Sequence, residues 1–135
     1  MSYGSGAALQ AAVYQRLTGS AAVTALVGAA IYDAVPPGDP PGVYIVLGPE
    51  DVRDASDASG AGAVHDFVVS VVTDAAGFQA AKAVAASVSE ALLGATMALA
   101  LGRLVGLWFL RARARRADRG NLRRIDLTFR ARVEA

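Results

Sequence analysis

The sequence predicts an α+β domain, with a mostly antiparallel sheet, one long helix packed on one face and short N-terminal helices. Three observations predict it. Ile125, Leu127, Phe129, Ala131 and Val133 alternate with Arg124, Asp126, Thr128, Arg130 and Arg132, a period of two that makes a strand with one buried face and one wet, arginine-rich face. Residues 104–115 form a partner run, and Asp118, Arg119, Gly120 and Asn121 between the two carry turn chemistry, so the pair reads as an antiparallel hairpin. Phe78, Ala81, Val84, Ala85, Val88 and Leu92 recur at helical spacing, which predicts the main helix over residues 77–93 with Gly94 ending it.

The remaining elements follow in chain order. Ser5 precedes a helical pattern in which Leu9, Val13 and Leu17 recur every four residues, closed by Gly19, and a second short helix runs over residues 20–27 before Gly28. Ile31 and Tyr32 make a short extended piece. Pro36, Pro37, Gly38, Pro40 and Pro41 forbid helix through the next connection. Residues 43–47 are β-branched and aromatic enough for a strand, and Val64, Phe67, Val69, Val71 and Val72 mark a longer, mostly buried strand over residues 64–73. Between these strands, residues 50–63 contain Asp, Ala, Ser and Gly with Val52 as the sole large apolar residue. Such a segment buries little to offset its ordering entropy, so a long mobile loop is expected there.

A chain of 135 residues is the usual size of one domain, so residues 1–135 are expected to share a single core. The hydrophobic fraction of 54% is high, but much of it is alanine. The longest strongly apolar stretch, residues 104–110, is far shorter than the roughly 20 residues that span a bilayer. No membrane span is expected. Residues 1–10 lack the basic start and apolar run of a secretory signal, and there is no cysteine. Synthesis and assembly in the cytoplasm are therefore expected, without disulfide or thiolate chemistry.

The net charge of +1 conceals a polarity along the chain. Residues 1–102 carry three cations against nine acids, a net −6, whereas residues 103–135 carry ten arginines against three acids, a net +7. This asymmetry suits either a nucleic-acid surface or a subunit that meets a copy of itself head to tail.

Residue types that converge for catalysis are scarce. There is no phosphate-binding Walker loop, no nucleophile elbow and no paired metal-ligand spacing. His65 is the sole histidine and reads as a strand-edge residue beside Asp66. Glu50, Asp51, Asp54 and Asp57 lack the alternating ligands and turning glycine of a calcium loop. Gly60 and Gly62 precede no helix that could cradle a phosphate. No enzyme activity, metal or cofactor is expected.

Arg111, Arg113, Arg115, Arg116 and Arg119 are the constellation with chemical force. Alternate arginines on a strand project from one face, where they can grip phosphates or a neighbour's carboxylates. Trp108 and Phe109 lie at the apolar base of the hairpin, not interleaved among the arginines as stacking platforms for single strands would be. Protein partners are favoured over nucleic acid. Asp51, Asp54 and Asp57 in the expected loop are the matching acidic candidates for an interface with another subunit.

The passages "ALQAAVYQRL", "VGAAIYDAVPPG", "YIVLGPEDVRDASDASGAGAVHDFVVSVVT", "GFQAAKAVAASVSEALL" and "RRIDLTFRARVE", in this order, resemble the tail completion or tail terminator proteins of long-tailed phages, and specifically the version in gene transfer agents. The resemblance covers nearly the whole chain. It implies a structural subunit of a hexameric ring that stops tail-tube polymerisation and presents the tail to the neck of the head. Its implied partners are the tail tube protein and a head or neck adaptor, with DNA passing through the channel without specific binding. Elsewhere in the neck, an adaptor role is the alternative, and a small DNA-binding protein using the hairpin is a third. For this chain length the subunit is a sphere about 36 Å across, and six touching spheres leave a hole as wide as one subunit, enough for a duplex.

Overall fold

The computed structural model describes residues 3–38, 40, 42–58, 60–94 and 96–135. Pro41, one of the residues expected to break helix, lies outside them. A 3-10 turn, Tyr3–Ser5, leads into α1 (Gly6–Thr18) and α2 (Ala21–Val27). The chain then forms β1 (Ile31–Tyr32), β2 (Val43–Asp54) and β3 (Gly62–Thr73). After α3 (Gln79–Leu93) come β4 (Arg103–Ala117), a 3-10 turn at Asp118–Gly120, and β5 (Leu122–Glu134). The predicted order of helices and strands is the observed one. The long helix has a rival, since α1 with 13 residues nearly matches α3 with 15.

Local chemistry explains where the helices stop and start. The Ser20 hydroxyl accepts from the Val23 amide and caps α2. Gly28 closes α2 with φ of +61° while its amide bonds the Thr24 carbonyl, a left-handed turn that residues with a Cβ resist. Ser5 precedes α1 but makes no capping bond; its hydroxyl is used elsewhere.

The five strands lie in the order β1-β2-β3-β5-β4. β1 runs parallel to β2, and every other pair is antiparallel. The three helices cover one face. Leu9, Val13 and Leu17 of α1, Val23 and Val27 of α2 and Val84, Val88 and Leu92 of α3 meet Ile45, Val69, Val71, Ile125, Leu127 and Phe129 of the sheet in one cluster. Phe129 is fully buried, stacked on Phe67 at 5.7 Å and met edge-on by Phe109 at 5.9 Å. Truncating a leucine or isoleucine of this cluster to alanine costs about 2–5 kcal/mol. Among the described residues no helix is long and apolar enough to cross a membrane.

The expected mobile loop over residues 50–63 is not what forms. β2 continues through Gly48 and Pro49 to Asp54, and its second half pairs with β3: Glu50 opposite Phe67, Asp51 opposite Asp66, Asp54 opposite Ala63. Pairing and local hydrogen bonds order this segment in place of a core of its own. The connection shrinks to the stretch between Asp54 and Gly62, whose ends are pinned by the Ala55 amide on the Gly62 carbonyl, the Gly62 amide on the Ser56 hydroxyl, and Arg132 on the Ala55 carbonyl at 3.0 Å. His65 is likewise no strand-edge residue: β3 is the central strand and His65 is fully buried in it.

Candidate assembly interface

The sheet face away from the helices is built by the period-two alternation of β3, β4 and β5. Register lines its side chains into cross-strand rows. Asp51, Asp66, Arg130 and Trp108 form one, Val68, Thr128 and Arg111 the next, then Ser70, Asp126 and Arg113, and then Val72, Arg124 and Arg115.

Two carboxylates anchor this face. Arg130 grips Asp66 with both arms of its guanidinium, at 2.8 and 2.9 Å, and Arg53 approaches the same carboxylate at 3.6 Å. The Arg130 hydrogen bonds, partly opposed by burial and aided by the charges of Arg130 and Arg53, hold the Asp66 carboxyl below its ordinary range. Asp126 accepts from the Ser70 hydroxyl at 2.6 Å, Arg124 at 2.8 Å and Arg115 at 3.3 Å. Burial alone would push the Asp126 carboxyl up, but these donors and the two positive charges outweigh it and draw it down.

With both carboxylates taken, Arg111 and Arg113 have no ion pair or hydrogen bond among the described residues. They border two adjoining clefts. One of about 350 Å³ is lined by Pro49, Val68, Arg111, Arg113, Arg115 and Asp126, among others. The other, about 320 Å³, brings Asp51 and Arg111 together with Leu110 and Arg130. Arginines with their forks open on a flat, wet surface can take carboxylates or phosphates bidentately.

The structure unites only part of the predicted set. Arg111, Arg113, Arg115 and Asp51 share this face. Arg116 pairs with Arg123 and so projects from the opposite face, and Arg119 occupies the hairpin tip with φ of +55°. Asp54 ends β2 beside Ser56, and Asp57 forms the tight bridge to Gly60. The acids of residues 50–57 are thus not one patch, and among the described residues no group of side chains is arranged to hold a metal.

One polar constellation escaped the sequence. The Ser5 hydroxyl lies 3.0 Å from Nε2 of His65, whose Nδ1 lies 3.1 Å from Glu50, and the Tyr3 hydroxyl donates to the other oxygen of that carboxylate. The bond to Glu50 raises the Tyr3 phenol above its ordinary range. Donation from the Ser5 hydroxyl to Nε2 and from Nδ1 to Glu50 leaves every member with a partner. Serine, histidine and carboxylate in series have the connectivity of a hydrolytic triad. Ser5 and His65 are both 0% exposed, however, so a substrate carbonyl cannot reach the hydroxyl. The chain of bonds ties the start of α1 to the central strand. Its signal in the sequence was His65 in phase with Phe67 and Val69 on the buried side of β3.

An α+β subunit with a helix-covered core, a Ser5–His65 pair closed to solvent and an open arginine face presents its free chemistry on a surface suited to meeting another molecule. The chain belongs to the family of tail completion protein gp17, whose model matches residues 11–134, and it is of the gene transfer agent type. One solved chain, from a structure described as "Virion of native gene transfer agent (GTA) particle", is 67% identical, with a TM-score of 0.93 over 99% of this chain and 100% of that one. No curated protein matches it. Family and fold together make this a structural protein of a phage-like tail.

Proposed function

We propose that the chain, folded as a single domain over residues 1–135, forms a hexameric ring that terminates the tail tube and joins it to the neck of the head. Its partners are further copies of itself, the tube protein and a neck adaptor, and DNA crosses the central channel without being specifically bound. The observation that carries this reading is the open arginine face, where Arg111 and Arg113 are exposed and unpaired among the described residues while Arg115, Arg124 and Arg130 are held by Asp126 and Asp66. A channel that must pass a DNA segment gains nothing from gripping it, because each neutralised phosphate adds a salt-dependent affinity that retards transit. Protein carboxylates are the better match for those two side chains, with Asp51 as the acidic member on the same face.

Electron microscopy of particles lacking the chain tests this reading. Overlong or headless tails are expected, with six-fold rings in the purified protein. Tails of normal length that fail only at joining the head would assign the chain to another neck adaptor instead.

A further inference from the structure

Two β-bulges interrupt β4, one between Leu104 and Gly106 and one between Phe109 and Arg111. Each leaves one residue outside the ladder, and both of these, Val105 and Leu110, are apolar and exposed, at 45% and 42%. Trp108 lies between them, 49% exposed. Its ring covers Gly106, where a Cβ would meet it at 2.5 Å. β4 is the free edge of the sheet. Bulges and arginines make such an edge a poor template for an added strand, so its apolar side chains suit a packed contact and not a longer sheet.

The other edge of the same sheet offers the complement. β1 is only two residues long, and beside it α1 leaves an open groove of about 720 Å³, lined by Tyr3, Tyr14, Ile31, Tyr32, Asp33 and Leu47 among others. Tyrosine walls with one carboxylate accept both apolar groups and arginine stems. Four interstrand steps, about 19 Å, separate β1 from β4, so no copy can fill its own groove. The charges agree: Asp33 lines the groove, and Arg111, next to Leu110 on β4, has no ion pair among the described residues.

We infer that the β4 edge at Val105, Trp108 and Leu110 of one copy seats in the α1–β1 groove of the next copy. Two unlike patches on opposite edges make a heterologous contact, which repeats and closes into a ring when the rotation allows. This inference rests on the ring reading above and adds which surfaces meet.

Replacing Leu110 with the photo-cross-linker p-benzoylphenylalanine, in the purified protein and in assembled particles, reads the contact directly. Cross-linked peptides should come from residues 3–14 or 31–34 of another copy. Peptides from β4 of another copy, from a different particle protein, or no cross-link in the particle would each overturn the inference. A second arm uses Trp108→Ala on the edge and Ala11→Arg in the groove, both at exposed positions, with circular dichroism confirming that each variant folds. Each alone should weaken self-association by about 30-fold or more, as loss of a central contact does. An equimolar mixture retains one good edge and one good groove, so it should form dimers and nothing larger. A mixture that stays monomeric refutes the pairing. Groove cross-links in particles whose tail length is uncontrolled would remove the terminator reading and leave the contact standing. Normal termination without groove cross-links would do the reverse.

Discussion

Arg113 stands directly across the β4–β5 pair from Asp126, yet the carboxylate is taken by Arg115 and Arg124. The three arginines of the β4 face are therefore not equivalent. Arg115 helps to hold the sheet together, and Arg111 and Arg113 are available to a partner.

Glutamate at both Arg111 and Arg113 should abolish ring formation or docking on the tube while changing monomer stability by no more than about 0.5 kcal/mol. Arg115→Glu, which sets a second negative charge against Asp126, should cost about 1 kcal/mol or more in the fold. Denaturant titration and tail-length measurement separate the two effects. Particles with normal tails that merely fail to deliver DNA would move Arg111 and Arg113 into the channel.

Association driven by the opposite charges of the two ends of the chain should weaken as salt shortens the screening length from about 10 Å at 0.1 M to about 3 Å at 1 M. Sedimentation velocity across that range measures it. Oligomers equally stable throughout would leave apolar packing as the sole source of cohesion.

The Ser5–His65–Glu50 chain predicts a stability effect without a catalytic one. His65→Ala strands a buried hydroxyl and a carboxylate and should cost about 2–4 kcal/mol, and Ser5→Ala, which strands one ring nitrogen, about 1–2 kcal/mol. Tyr3→Phe should be nearly silent, because Tyr3 is exposed. Unfolding midpoints in urea decide this; an effect of His65→Ala as small as that of Tyr3→Phe would deny the network its anchoring role.

Acid stability should follow Asp66 and Asp126. Both carboxyls are held low in the folded protein, so their contribution is complete above the unfolded value of about 4 and disappears as pH falls through the folded values. Asp66→Asn and Asp126→Asn should each destabilise by about 1–2 kcal/mol at pH 7, and the gap to the parent chain should narrow as pH falls below about 4. A gap that persists unchanged at pH 2 would mean lost packing, not lost charge.

The elements legible in the sequence were those with an unbroken period. The alternation through Ile125 to Val133 and the helical spacing through Val84, Val88 and Leu92 survive folding unchanged because each stripe meets one continuous core. The second half of β2 was hidden by its composition, since residues 50–63 offer Val52 as the sole large apolar residue, and it follows Gly48 and Pro49. The register shift between Leu47 and Glu50 absorbs them, and the bare α-carbon of Gly48 allows the close approach of the Val68 carbonyl, 3.1 Å from where a Cβ would be. The arginine face was legible from period two alone. Which arginines are free was not, because that depends on Asp126 and Asp66 arriving from other strands in a register the sequence does not print. The Ser5–His65 contact joins residues 60 apart, beyond the reach of any local pattern.

The strand order has a consequence for how the subunit is made. Translation delivers β4 before β5, yet β5 lies between β3 and β4 in the finished sheet. Until β5 emerges, β3 has an unfilled side and β4 has no neighbour at all, while Phe67 lacks the ring of Phe129. The nascent polypeptide consequently cannot display a finished binding edge before its last strand is inserted. The contact inferred at the β4 edge thus depends on a strand made after it, and a product truncated before residue 122 lacks the neighbour that holds β4 in the sheet.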